Sequence, residues 1–183
     1  MNNSSKRLIA GRISWLIGLL IIFHSANAQD TLVDPEGFFE STFGDLQEEL
    51  EIVQDEEKTA LLIMFETKDC PWCERMKKQV LNRSSVQAFY QENFRVISMD
   101  AEGDLVVIDF DGNEIEESEF ALKAMRVRAT PVFAFFNSEG ILITRYTGAL
   151  KSADDFILLG NYVLEEKYLD MKFSKYRREQ AES

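Results

Sequence analysis

Cys70-Pro71-Trp72-Cys73 stands between two runs of opposite character, and it holds the only two cysteines of the chain. Before it lies Leu61-Leu62-Ile63-Met64-Phe65, an apolar, strand-like run. After it, Glu74-Arg75-Met76-Lys77-Lys78 opens a helix-like run. Two thiols with two residues between them can close into a disulfide with little chain movement. At the first turn of a helix the leading thiol is favoured as thiolate, because unpaired backbone N–H groups and the helix dipole stabilise negative charge there. The pair therefore reads as a reversible redox couple. Thr130-Pro131 opens a further apolar run, Val132-Phe133-Ala134-Phe135-Phe136, so two of only three prolines sit at these two places.

The chain has 183 residues, 45% of them hydrophobic, with 14 Phe, enough for one domain with a substantial core. Its first 28 residues read as a signal peptide. Lys6, Arg7 and Arg12 form a basic region, Ile13 to Phe23 an apolar stretch, and Ala26-Asn27-Ala28 a cleavage site that makes Gln29 the mature N-terminus. The apolar stretch is short for a permanent span, which makes an uncleaved anchor the lesser reading. Export to a bacterial periplasm is the expected setting. There a structural disulfide would close a long loop, whereas one across two residues constrains little unfolded chain, which again favours a redox role. The mature chain carries 17 basic against 32 acidic residues, a net charge of about −15. That disfavours nucleic acid and anionic membranes as partners. It favours either basic partner surfaces or simple solubility.

Along the chain, Asp34-Pro35 reads as a helix start. Phe39, Phe43, Leu46, Leu50 and Val53 recur at helical spacing, with Glu48, Glu49 and Glu51 on a solvated face. Thr59 to Phe65 is a buried strand. The motif helix follows to about Asn93, with Met76, Val80, Val86, Phe89 and Tyr90 as packing positions and Asn82-Arg83-Ser84-Ser85 as a possible interruption. Phe94 to Met99 is a second strand. Leu105 to Phe110, Asp111-Gly112 and Asn113-Glu114-Ile115 read as a small hairpin. Glu116 to Val127 is helical by pattern, 132–136 a strand, Ser138-Glu139-Gly140 a turn, and Ile141 to Tyr146 a strand. Ser152 caps a last helix through Phe156, Leu159 and Val163. The expected organisation is a signal peptide (1–28), one α/β domain (29–167) and a polar, basic tail (168–183) that is either a solvated terminus or a docking element.

The CPWC motif and the later Thr130-Pro131 resemble the thioredoxin superfamily. Gly140 resembles the turn of its final hairpin, and Thr147-Gly148-Ala149-Leu150 the segment before its last helix. The resemblance covers nearly all of the mature chain. It implies a thioredoxin fold, with a central mixed β-sheet flanked by helices, a small β-hairpin insertion and the C-terminal tail. Within the superfamily the chain is similar to the periplasmic thioredoxins associated with sulfur oxidation, the SoxW type. That likeness rests on Asp109-Phe110-Asp111-Gly112, Val127-Arg128-Ala129-Thr130-Pro131, Gly160-Asn161-Tyr162-Val163 with Tyr168, and Phe173-Ser174-Lys175-Tyr176.

The resemblance implies Cys70 as an exposed nucleophile and Cys73 as the more buried resolving thiol. It also implies a cis Pro131 facing the disulfide and a Thr130 backbone that pairs with substrate. Pro71 fixes φ at the first helical position. Trp72 either shields the disulfide and contacts the partner or simply packs. One position departs from the family. Thioredoxins proper carry a buried Asp six residues before the first Cys, where this chain has Met64. Glu66, on the same strand face, is the nearest carboxylate, either a replacement proton shuttle or a solvated edge residue.

The expected activity is reduction of disulfides in exported proteins, with electrons from a membrane thiol donor, no cofactor beyond the Cys70–Cys73 couple, no metal, and a monomeric state. Oxidase or isomerase activity is the alternative, because Pro-Trp matches neither the Gly-Pro of typical reductants nor the Pro-His of strong oxidants. A non-enzymatic alternative is copper binding by the two thiolates. The only histidine is His24, inside the expected signal peptide, which disfavours a closed zinc site and Cys–His hydrolysis.

Overall fold

The computed structural model describes residues 30–182. The expected signal peptide and its cleavage site therefore lie outside the described residues. Six strands and six helices are assigned within them. In chain order these are α1 (Leu46–Asp55), β1 (Ala60–Glu66), α2 (Pro71–Met76), α3 (Ser84–Asn93), β2 (Phe94–Asp100), β3 (Val106–Ile108) and β4 (Glu114–Glu116). They continue with α4 (Glu117–Glu119), β5 (Val132–Phe136), β6 (Leu142–Thr147), α5 (Ala153–Leu164) and α6 (Phe173–Glu182). Two of the helices run on into π-helical turns, α2 through Lys77–Leu81 and α4 through Phe120–Ala124.

Four strands form one mixed sheet in the order β2-β1-β5-β6. β1 runs parallel to β2, with Ile63 opposite Ile97, and antiparallel to β5, with Ile63 opposite Ala134. β5 and β6 are antiparallel, and β3 pairs with β4 as a separate hairpin. This is the mixed α/β sheet with flanking helices that the sequence leads one to expect.

The central strands are continuous apolar runs because both faces of the sheet are covered. Leu62 and Met64 of β1 and Phe133 and Phe135 of β5 enter one core with Met76, Val80, Tyr90, Phe156 and Leu159. Leu61, Ile63 and Phe65, with Ala134 and Phe136, enter the other with Leu46, Leu50 and Val53 of α1 and Phe120 beyond α4. On the first face Tyr90 stacks on Phe156 at 4.3 Å between ring centroids, and its hydroxyl donates to the Phe156 carbonyl at 2.6 Å. α5 lies so close to α3 that a Cβ at Gly160 would meet Phe89 Cε1 at 2.4 Å.

Three elements differ from the sequence reading. The expected helix from Asp34 to Val53 is two pieces. Asp34 does cap a turn, its carboxylate accepting from the Glu36 N–H, but this is a 3₁₀ turn of four residues ending at Phe38. The chain then runs along the edge of β2, where the Glu40 N–H donates to the Val96 carbonyl. α1 begins anew under Asp45 after Gly44, whose φ of +83° breaks the helical path. Phe43, placed by periodicity on the core face, is 98% exposed. Glu49, placed on the solvated face, is buried and accepts from Arg95 Nε at 2.6 Å, while Arg95 also meets Glu40 at 3.2 Å.

The helix expected over Glu116 to Val127 ends at Ala124, and Arg126 adopts φ +52° as the chain turns toward Thr130. The tail is not a solvated terminus. α6 lays Phe173 and Tyr176 against Tyr162, with centroids 5.5 and 5.6 Å apart, and the Tyr162 hydroxyl donates to the Met171 carbonyl at 2.6 Å. Burial and the neighbouring Glu165 carboxylate push the Tyr176 hydroxyl up to about 12. Two apolar residues in a polar helix are enough to seat it, with Lys172, Lys175 and Arg178 left outward.

Arg95→Met should leave Glu49 as a buried, unpaired carboxylate and destabilise the fold by about 3–5 kcal/mol, read by denaturant unfolding. Phe173→Ala should cost about 3 kcal/mol in the same measurement, which a solvated tail would not.

Candidate active site

β1 ends at Glu66 and a short loop carries the chain to Cys70, whose backbone N–H donates to the Thr67 carbonyl at 3.2 Å. Cys70 is the N-cap of α2: its backbone is extended and its Sγ accepts the Cys73 N–H at 3.0 Å. Pro71 takes the first helical position, where no N–H is needed. The two sulfurs are joined, with S–S 2.12 Å and Cα–Cα 5.3 Å. An orphan N–H directed at Cys70 Sγ is the local charge stabilisation that a thiolate needs at this position.

Cys70 is 5% exposed and Cys73 2%, so the leading cysteine is much less open than the expected exposed nucleophile. Both sulfur-bearing residues belong to the core on the α2–α5 face of the sheet. The exposed part of the motif is Trp72, 55% accessible, with the Arg75 guanidinium 5.6 Å from its ring centroid.

The Thr130–Pro131 peptide bond is cis. Thr130 Oγ1 lies 3.4 Å from Thr67 Oγ1, which ties the loop before β5 to the loop before the motif. Beyond these two threonines lies an open groove of about 530 Å³, bounded by Ala101, Ser118, Leu122, Val127 and Arg128. The groove presents both apolar and hydrogen-bonding surface beside the loop that carries Pro131.

A second cavity, about 210 Å³, is lined by Cys70 and Cys73 together with Glu66, Lys77, Ser98 and Asp100. Glu66 accepts from Ser98 Oγ at 2.7 Å and pairs with Lys77 Nζ at 3.0 Å. Lys77 also pairs with Glu36 at 3.1 Å and lies 5.5 Å from the Phe39 ring centroid. Burial pulls the Lys77 ammonium down, but the two carboxylates outweigh it and the net direction is upward. Glu66 is thus not a solvated edge residue, and Met64, the position of the missing Asp, is fully buried.

The structure brings Cys70, Pro71, Trp72 and Cys73 together at the head of α2, with Thr130 reaching the adjoining loop. It places Glu66 in the polar cavity beside the cysteines. Sequence reasoning missed Lys77 and Ser98. Lys77 stands four residues after Cys73, hence on the same helix face, and that spacing is the one signal that pointed to it. Ser98 carries no signal without the strand register. Among the described residues no three His, Cys, Asp or Glu side chains are grouped to hold a metal ion.

A family model described as a thioredoxin-like domain matches residues 46–164, spanning α1 to the end of α5 with the cysteine motif and both loops inside it. This chain belongs to the thioredoxin-like family. Solved structures agree at the level of the fold. A thioredoxin-fold protein from Helicobacter pylori superposes with a TM-score of 0.59 at 20% identity, covering 81% of this chain and 94% of its own. A putative disulphide-isomerase from Bacteroides thetaiotaomicron gives 0.54 at 24% identity, with coverages of 69% and 92%. A DsbH oxidoreductase gives 0.52 at 19% identity, with 69% and 83%. Comparison with curated protein sequences yields no match. Family and cysteine pair together support thiol–disulfide redox activity for this thioredoxin-like chain.

Because Trp72 is mostly exposed, Trp72→Ala should change the unfolding free energy by less than about 1 kcal/mol. Denaturant unfolding of the oxidised protein checks this.

Proposed function

We propose that this thioredoxin-like protein is an exported oxidoreductase that reduces disulfides of other exported proteins. The observation that carries the proposal is Cys70 Sγ at the N-cap of α2, accepting the Cys73 N–H beside the loop of Thr130 and Pro131. In the reduced protein the Cys70 thiolate attacks one sulfur of the substrate disulfide. A Cys70–substrate bond forms and the first substrate thiolate leaves. Cys73 then loses its proton, with Glu66 as the proposed acceptor, and attacks Cys70 Sγ. The mixed disulfide breaks, the second substrate thiolate leaves, and two electrons have passed from the dithiol to the substrate. Thr130 and Pro131, together with the exposed Trp72, are the proposed contacts for the substrate segment.

The likeness to periplasmic sulfur-oxidation thioredoxins, together with the basic and apolar N-terminus, supports a periplasmic reductant fed by a membrane thiol donor and acting as a monomer. The oxidase or isomerase alternative differs only in the poise of the same couple. Equilibration of the protein with glutathione or dithiothreitol, followed by Trp72 fluorescence, should give a reduction potential near about −270 mV. A value near about −120 mV would make the reduced form the stable one and the protein an oxidant. Cys73→Ser should accumulate a mixed disulfide with substrate, visible by mass spectrometry, and Cys70→Ser should form none.

A further inference from the structure

We propose that the outer face of the β3–β4 hairpin, with Phe43 beside it, is a docking site for a partner protein that presents an apolar side chain ringed by lysine or arginine. The inference goes beyond the redox reading and does not rest on it.

The apolar part of this face is held in place by the fold. Phe43 is 98% exposed, Leu105 68% and Val106 60%, and all three border one depression of about 230 Å³ with Thr42, Val107 and Glu117. Single exposed apolar residues are ordinary, but a group of them around a depression with a polar rim marks an interaction surface. Phe43 is fixed through its neighbours in the chain. Thr42 Oγ1 accepts the Gly44 N–H at 3.0 Å, and the Gly44 carbonyl accepts the Ile108 N–H of β3 at 2.8 Å. Gly44, at φ +83°, lies so near β3 that a Cβ there would meet Val107 Cγ1 at 3.2 Å. Leu105 is tied in the same way, its carbonyl accepting the Glu117 N–H at 3.0 Å. The backbone carrying these side chains is set before a partner arrives, which limits the ordering cost of binding.

The rim says what kind of partner fits. Between Val96 and Leu122 the chain has nine carboxylates and no lysine or arginine. Among the described residues only Glu119 of the nine forms an ion pair, with Lys123. Glu102, Asp104, Asp111, Glu114 and Glu116 are exposed on the hairpin and the loop before it. Glu117 stands in the wall of the depression. Burial, with the Asp100 and Asp104 carboxylates nearby, pushes its carboxyl upward against the Asp100 N–H bond that lowers it. Negative charge is thus uncompensated where the apolar side chains are exposed. A cationic rim on the partner supplies the missing charge, whereas an anionic rim would be repelled.

The position of this face also bears on its use. Ala101, Glu102 and Ser118 line the groove beside the Thr130 loop, and Leu105, Val106 and Glu117 line the depression. The Ser118 N–H donates to the Gly103 carbonyl at 3.0 Å and joins the two segments. A partner seated on the hairpin is therefore adjacent to the groove.

The test is equilibrium binding of fluorescein-labelled peptides to the purified, oxidised protein, read by anisotropy. The probe carries lysine and leucine in amphipathic helical spacing. One comparison peptide replaces leucine by serine, and another replaces lysine by glutamate. The Lys–Leu peptide should bind, the Glu–Leu peptide should not, and binding should weaken as salt rises. Phe43→Ser should weaken Lys–Leu binding about tenfold, as loss of one buried aromatic contact does, and leave the Lys–Ser peptide unaffected. Asp104→Asn with Glu114→Gln and Glu116→Gln should weaken Lys–Leu binding about tenfold as well. Asp55→Asn, Glu92→Gln and Asp170→Asn together remove as many exposed carboxylates elsewhere and should change it less than about twofold.

Equal weakening by the two triple variants would reduce the effect to net charge and overturn the proposal. Unchanged Lys–Leu binding in Phe43→Ser would overturn it too. So would a concentration-dependent dimer in sedimentation that Phe43→Ser abolishes, because the face would then belong to a second copy. Leu105→Ser, on the same depression, gives an independent reading of the apolar contribution should Phe43→Ser fail to fold. Binding involves no electron transfer, so failure here leaves the redox reading intact, and failure of that reading leaves the docking site standing.

Discussion

Burial of β1 on both faces is the constraint from which the remaining structure follows. Every side chain from Ala60 to Phe65 is inaccessible, alternating between the core shared with α2, α3 and α5 and the core shared with α1 and α4. At about 1.5–3 kcal/mol for each large apolar side chain, shifting this strand by one residue would send each side chain to the wrong core. Its position is therefore held hard, and the chain that leaves it is delivered to one place. Glu66 ends the strand, and four residues later Cys70 caps α2. The reactive pair sits at the edge of a rigid body, with its sulfurs in the core and only Trp72 well exposed.

Such a core leaves little freedom for charge, and the protein handles each buried charge by pairing. Arg95 is matched by Glu49 and Glu40 along β2, and Lys77 by Glu66 and Glu36 at the opposite end of the same region. The two sets differ in what surrounds them. The first closes the edge of the sheet and lies in none of the cavities around the disulfide. The second opens onto the cavity of the disulfide, two residues along the strand face from the fully buried Met64. Along this one strand face Met64 lies in the sealed core and Glu66 at its polar margin. A lysine one turn beyond Cys73 then completes the charge balance.

The elements legible in the sequence were those whose pattern is set by their own residues. The apolar runs at 61–65 and 132–136, the Asp-Gly turn of the small hairpin and the Ser152 cap of α5 all stand where local rules put them. The misread elements were those whose path is set by a distant partner. Phe39 and Phe43 have helical spacing, yet the chain there is drawn along β2 by the Glu40–Val96 bond and broken at Gly44. Glu49 looks like any surface acid until Arg95 is brought to it from 46 residues away. Phe173 and Tyr176 are too few to announce a buried helix, and it is the rings of Tyr162 and Tyr146 and the carboxylate of Glu165 that give them a place.

What the sequence by itself determined was the chemistry and its scaffold. Two cysteines two residues apart at a strand-to-helix junction specify a redox couple, and with Thr130-Pro131 before a second apolar run they carry the resemblance to the thioredoxin family. The spacing of the two cysteines and the apolar runs on either side are short-range signals, so propensity and spacing carry them, and the resemblance carries the rest. The tertiary structure alone decided the surroundings of that couple: the depth of Cys70, the register that sets Ser98 beside Glu66, and the convergence of Lys77, Glu66 and Glu36 from three elements. A charge pair between residues far apart in sequence has no local pattern. It exists only once the sheet and the motif helix have packed, because packing supplies both the proximity and the desolvation that make the pairing necessary.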